Sequence, residues 1–410
     1  IVVVLYHLLE SYPTGLLKTY ISHGYLAVDF FFALSGFVLF KNTRIPLVKS
    51  RGLNSLQQVI ELAVLHHHDS GIACVNVVVA GTNDHANRAH LSNGFAILII
   101  FTFAFSFNTV QSNTICAAFE QAFQVDHTLM GIILTVLTLA IIFGGIQRIA
   151  KVSSIIVPVM ALGYILLALV IVFMNITHLP DVIKLIISHA FGWEQALGGG
   201  IGVALMQGIK RGLFSNEAGM GSAPNVAATA DVSHPVKQGL IQTLGVFSDT
   251  LVICTCTAFI ILFSGVPLGG EANGVQLTQM ALDNEIGSGG STYVAIAILF
   301  FAFSSIIGNY YYGEANLRYI THNKIVMTIF RLMTGAMVMF GALASLDLAW
   351  SLADVCMGLM TICNLIAIVL LGKYAFRLLD DYLEQKRQGI KNPTFTKDKM
   401  KDIEQDIECW

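Results

Sequence analysis

Residues 211–224 read RGLFSNEAGMGSAP and place Ser215, Asn216, Glu217 and Ser222 within eight positions, among three glycines. A carboxylate, an amide and two hydroxyls are hard oxygen ligands, suited to a small monovalent cation such as sodium. Glycines loosen a helix by about 1 kcal/mol each relative to alanine, which frees backbone carbonyls and amides. Such unwound backbone is tolerated at membrane depth only against protein or a water-filled cavity. There it can coordinate sodium and carboxylate groups. Glu217 carries two readings. It lines a cation pathway, or it forms a structural ion pair with Arg211 at a helix end.

Other polar residues interrupt apolar runs. Asp249, flanked by Ser248 and Thr250, is a second candidate for the cation pathway. Thr250, Thr255 and Thr257 have the alternative of bonding back to their own helix. Gln111 and Asn113 follow the aromatic run FTFAFSF. Buried amides there either grip an amino acid's charged ends or fasten two helices together. Asn364 is a further substrate candidate, with helix packing as its plainer role. Pro158 should kink its helix. Tyr310, Tyr311 and Tyr312 read as an interfacial belt. His66, His67, His68, His85 and His90 lack carboxylate or cysteine partners at fixed spacing and read as a solvated loop, so no metal beyond sodium is expected. The seven cysteines are scattered and read as small apolar fillers.

The elements that must hold these residues are membrane helices. The chain is 55% hydrophobic and only 12% charged, about half the charge of a soluble domain. Apolar runs recur at the roughly 20-residue length of a spanning helix. Eight spans are expected near 95–118, 128–147, 153–175, 196–222, 238–264, 291–312, 325–345 and 350–372. Lysine and arginine mark alternate loops: Arg148 and Lys151, Arg211 and Lys237, Arg318 and Lys324, then the tail from Lys373 onward. The opposite loops lack them or carry Glu120 and Asp126. The positive-inside rule makes the basic side cytoplasmic. No basic stripe suggests a nucleic-acid partner.

Several blocks together resemble one family. RGLFSNEAGMGSAP is similar to the signature of the alanine or glycine:cation symporters. FNTVQSNTI at 107–115, GGIQRIAKVSSIIVPVMALGYI at 144–165, HPVKQGLIQTLGVFSDTLVICTCTA at 234–258, YYGEANLRY at 311–319 and CNLIAIVLL at 363–371 follow in the family's order. The resemblance covers roughly 95–380. It implies an all-α polytopic membrane protein with part of the inverted-repeat architecture of the leucine transporter. It implies sodium-coupled symport of a small neutral amino acid, alanine or glycine, across the inner membrane, without an organic cofactor. On this reading Gln111, Asn216 and Asn364 serve the substrate. Ser215, Glu217, Ser222, Asp249 and Thr250 serve the cation.

The front is expected to differ. IVVVLYHLLES and GYLAVDFFFALSGFVLF resemble the start of membrane acyltransferases of the third acyltransferase family, with His7 at the catalytic position and Asp29 as its orienter. The chain begins at Ile1, and the early interrupted helix of a symporter is not found. The expected organisation is an acyltransferase-like fragment with one or two short apolar helices at 1–41, an irregular junction at 42–93, the symporter-like body at 94–372 and a charged cytoplasmic tail at 373–410. The alternatives are an acyltransferase fragment using His7 and a non-functional chimera. Missing early helices would impair transport.

Overall fold

A computed structural model gives the fold and describes residues 93–144, 146–191, 208, 210–227, 230, 232–267, 272 and 274–400. His7, Asp29, the acyltransferase-like head, the five loop histidines and all but the last residue of the junction lie outside the described residues.

The described residues form α1 (Asn93–Phe123), α2 (His127–Gly144), α3 (Ile146–Met174), α4 (Leu179–Phe191) and a short α5 (210–216). Then come α6 (Ser222–Ala227), α7 (Pro235–Phe263), α8 (Gly274–Ile286), α9 (Gly289–Ile320), α10 (Lys324–Leu343) and α11 (Leu346–Arg387). Among these residues six helices are long and apolar enough to cross a membrane. A seventh is the bent pair Pro158–Met174 and Leu179–Ile186, which turn 111° on one another. The helix runs on through Pro158, and the sharp bend comes after Met174. Of the expected fourth span, 196–222, residues 196–207 and 209 lie outside the described residues.

Local chemistry sets the ends. Gln124 turns left-handed at φ 59° to close α1, and Asp126 accepts from the Thr128 amide at 2.8 Å to start α2. Asn323 and Ser345 cap α10 and α11 with side-chain oxygens. The alternation FTFAFSF looks strand-like, yet it lies in a π-helical stretch, Ile100–Phe107. Four-residue neighbours then stack in two columns. Phe101 meets Phe105 at 5.4 Å, and Phe103 meets Phe107 at 5.0 Å.

α1 is the centre of the packing. Its buried face meets α9, α10 and α11. Small residues and buried amides make the closest contact, as expected where lipid removes any hydrophobic drive between helices. Ser112 donates to the Val338 carbonyl at 2.7 Å, and Asn113 donates to those of Gly341 and Ala344 at 3.1 and 2.7 Å. Asn113 is therefore helix glue. A Cβ on Gly341 would lie 2.5 Å from the Thr109 carbonyl oxygen. Gly341→Ala is expected to destabilise the α1–α10 contact by about 1–3 kcal/mol, the usual cost of overpacking. A lowered melting temperature in detergent, beside an unchanged Gly372→Ala, checks it.

Two contact sets show which loops lie together. At one end, His127 bonds the Ala342 carbonyl and Asn113 reaches Ala344, so the turns after α1 and after α10 lie together. At the other, the Phe395 amide donates to the Ser233 carbonyl at 2.9 Å, so the tail meets the turn before α7. These pairings match the expected alternation of acidic and basic loops. Within the tail, α11 continues unbroken to Arg387, and 393–400 folds back.

Candidate functional site

The helix carrying RGLFSNEAGMGSAP is broken. α5 ends at Asn216, α6 begins at Ser222, and the residues between turn left-handed: Glu217 at φ 56°, Gly219 at 89° and Gly221 at 86°. Glycine adopts that region freely, whereas a glutamate there is uncommon and held by its surroundings. Asn216 Oδ1 accepts from the Ala218 amide at 2.9 Å, an Asx turn that starts the break.

Three other helices hold it. From α11, Asn364 Nδ2 donates to the Gly219 carbonyl at 2.8 Å. From α9, the Tyr312 hydroxyl hydrogen-bonds Glu217. From α7, Asp249 Oδ2 accepts from Ser215 Oγ at 2.5 Å, and Thr250 Oγ1 accepts from Asn216 Nδ2 at 2.8 Å. Ser222 Oγ, fully buried, donates to Glu217 Oε2 at 2.7 Å. Asp249 and Thr250 lie in a π-helical turn, Ser248–Ile253, a local feature common at functional sites. Ser215, Asn216, Glu217, Ser222, Asp249, Thr250 and Asn364 are thus one connected set.

Gln111 stands apart. It lies one turn beyond Phe107 on the same face of α1. Phe107 stacks on Phe214 at 4.6 Å, and Phe214 on Trp350 at 4.7 Å. The half-buried Gln111 carboxamide makes no hydrogen bond among the described residues.

Two expectations are corrected. Arg211 does not pair with Glu217. Its Nη2 makes a forked contact to Asp354 at 2.7 and 2.8 Å, and its guanidinium lies 3.8 Å above the Trp350 ring. Asp354 lies nine residues into α11 from the turn at Ser345, roughly 13 Å along the axis. Arg211 therefore belongs to the half of the molecule nearer the acidic turns, not to the basic side. Its Nη1 is buried without a hydrogen-bond partner among the described residues. Second, the tyrosines are not an interfacial belt. Tyr310 is fully buried and stacks on Phe330, and Tyr312 packs on Phe103 beside Glu217.

Sequence reasoning missed Tyr312, Asp354 and Trp350. It also missed Glu314, a buried carboxylate bonded by Arg318 at 2.6 Å and approached by Arg331 at 3.4 Å. The spacing Glu314–Arg318 was the available signal, a one-turn ion pair.

Comparison with known proteins adds a family. The chain matches the sodium:alanine symporter family over residues 80–397, beginning inside the stretch expected to be an unrelated junction. It is 52% identical over 324 residues to the probable sodium/glutamine symporter GlnT of Bacillus subtilis, covering 79% of this chain and 67% of that protein. It is 52% identical to the amino-acid carrier protein AlsT of the same organism, over 73% of this chain and 64% of that one. Against the sodium/alanine symporter AgcS of Methanococcus maripaludis it is 38% identical, over 76% and 69%. The chain spans about two thirds of the length of these curated relatives.

Proposed function

We propose, from the premise that the chain belongs to the sodium:alanine symporter family, that it carries a small neutral amino acid, alanine or glycine, together with sodium. That family is one of secondary transporters, not enzymes. The observation that carries the reading is the left-handed break at Glu217, held by α7, α9 and α11 at once. Half-helix ends and unwound backbone of this kind supply partial charges of both signs to a zwitterion and a cation.

The roles follow from who is already occupied. Ser215 with Asp249, Ser222 with Glu217, and Thr250 supply side-chain oxygens around the break, the donor set a hard cation prefers. Asn216 and Asn364 spend amide hydrogens on Thr250 and on Gly219, so they shape the substrate site through the backbone they hold. Gln111 and the buried Arg211 Nη1 have donors left for the substrate, beside the wall of Phe107, Phe214 and Trp350. The basic ends face the cytoplasm by the positive-inside rule, which puts the tail inside.

The test is uptake of labelled alanine, glycine and glutamine into proteoliposomes under a sodium or a proton gradient. Alanine or glycine uptake that requires sodium is expected. A preference for glutamine, the substrate in one relative's name, would replace the substrate assignment. Uptake driven by protons alone would remove sodium. Glu217→Gln leaves one acceptor oxygen where Ser222 and Tyr312 both donate. It should lower sodium-dependent uptake by about tenfold, near 1.4 kcal/mol. Unchanged uptake would take Glu217 out of the cation pathway.

A further inference from the structure

The block HPVKQG opens α7, and nothing in the transport site uses it. His234 is completely buried, although it sits in the turn between α6 and α7. Its Nε2 lies 3.1 Å from Asp381 Oδ2 on the extension of α11, and its Nδ1 accepts from the Val236 amide at 3.2 Å. The rings of Tyr382 and Phe395 stand edge-on to it at 5.1 and 5.7 Å. The tail closes over this contact. Ser233 Oγ donates to the Pro393 carbonyl, and the Phe395 amide donates to the Ser233 carbonyl, both at 2.9 Å. Gln385 exchanges two hydrogen bonds with Thr394, and Lys399 Nζ reaches both Asp381 oxygens at 2.7 and 3.0 Å.

We propose that residues 393–400 form a proton-sensitive latch that fastens the α6–α7 turn to α11, so that acid releases the inner half of the broken helix. "Inner" rests on the orientation given above. α11 then holds this region twice: at the break through Asn364, and some 17 residues on, about 25 Å, at the α6–α7 turn through Asp381.

The proton enters at Nδ1. In the latch that nitrogen is an acceptor, so the imidazole is neutral with its proton on Nε2, donated to Asp381. A second proton would face the Val236 N–H and remove the cap of α7. The charged groups around the ring are Asp381 from α11, Lys399 from the tail and Lys237 from α7. Burial lowers the His234 pKa below its ordinary value. Asp381 opposes that, and the two lysines assist it. Partial burial works against ionisation of Asp381, but hydrogen bonds from Lys399, His234 and Gln385 outweigh it and hold the carboxyl low. An unlatched His234 titrates near 6.5, so below that pH the open form takes up the proton first. The latch is strongest above that value and weakens as pH falls.

Hydrogen exchange by mass spectrometry on the full chain in lipid nanodiscs tests this without substrate or sodium, so a carrier inactive in uptake still answers. From pH 8 to 5.5, after correction for intrinsic rates, exchange of 388–400 and of the first turns of α7 should rise together by about tenfold. α1 should not change. In His234→Gln the pH response should shrink to about twofold or less. A flat wild type, or a tail that loosens alone, overturns the latch. Should His234→Gln loosen the whole molecule, Lys399→Gln decides. It removes a half-exposed charge, and both segments should exchange about threefold faster at pH 8. No change in α7 overturns the proposal.

Discussion

Gly221→Ala is expected to abolish most transport while the protein still inserts and folds. The substitution meets two separate obstacles. At φ +86° an alanine Cβ is strained by about 1–2 kcal/mol. The same Cβ would stand 2.7 Å from the Phe95 ring and 2.9 Å from both Cγ and Oδ1 of Asn364. Asn364 cannot yield freely, because its amide holds the Gly219 carbonyl at 2.8 Å. Either the break straightens or α11 moves away, and both dismantle the set around Glu217. A loss of about 100-fold in uptake, near 2.7 kcal/mol, is the expected size. Gly212→Ala is the control, since among the described residues no atom beyond its own helix comes within 4 Å of the added Cβ. It should keep uptake within about twofold, alanine being the better helix former. Equal loss in both variants would mean that the glycines matter for insertion rather than for the break.

The break was legible in the sequence because its cause is local. Glycines and an ionisable group within an apolar run contradict a plain spanning helix, whatever packs around them. Six of the eight expected span positions were legible for the same reason, since helix existence follows from length and hydropathy. Which face of each helix meets protein was not legible. In lipid an apolar residue is equally at home outside or inside, so Phe101, 56% exposed, and Phe103, fully buried, look alike in FTFAFSF. The partners of the charged residues were hidden by distance along the chain: Asp354 lies 143 residues from Arg211, and Asp381 lies 147 from His234. The basic-loop pattern misassigned Arg211 because a charge count cannot distinguish a loop from a buried pair.

That pair yields the second large effect, and the two ends are not equivalent. Asp354 accepts both bonds from Arg211 and has Lys210 at 3.6 Å. Asp354→Asn would leave Arg211 and Lys210 side by side without the carboxylate that both contact here. Arg211→Met would leave Asp354 with Lys210 and would keep an apolar stem over Trp350. A charge-assisted hydrogen bond is worth about 1.5–3 kcal/mol, and stranding a charge costs more than losing a pair. Asp354→Asn is therefore expected to reduce uptake by about 100-fold at saturating sodium. Arg211→Met should act by a different route. If its Nη1 receives the substrate carboxylate, the apparent KM for alanine rises about tenfold or more, with a smaller change in maximal rate. Uptake measured over a range of alanine concentrations separates the two. Should both variants lower only the maximal rate, the pair closes the outer half without touching substrate, and Gln111 is left as the substrate's side-chain donor.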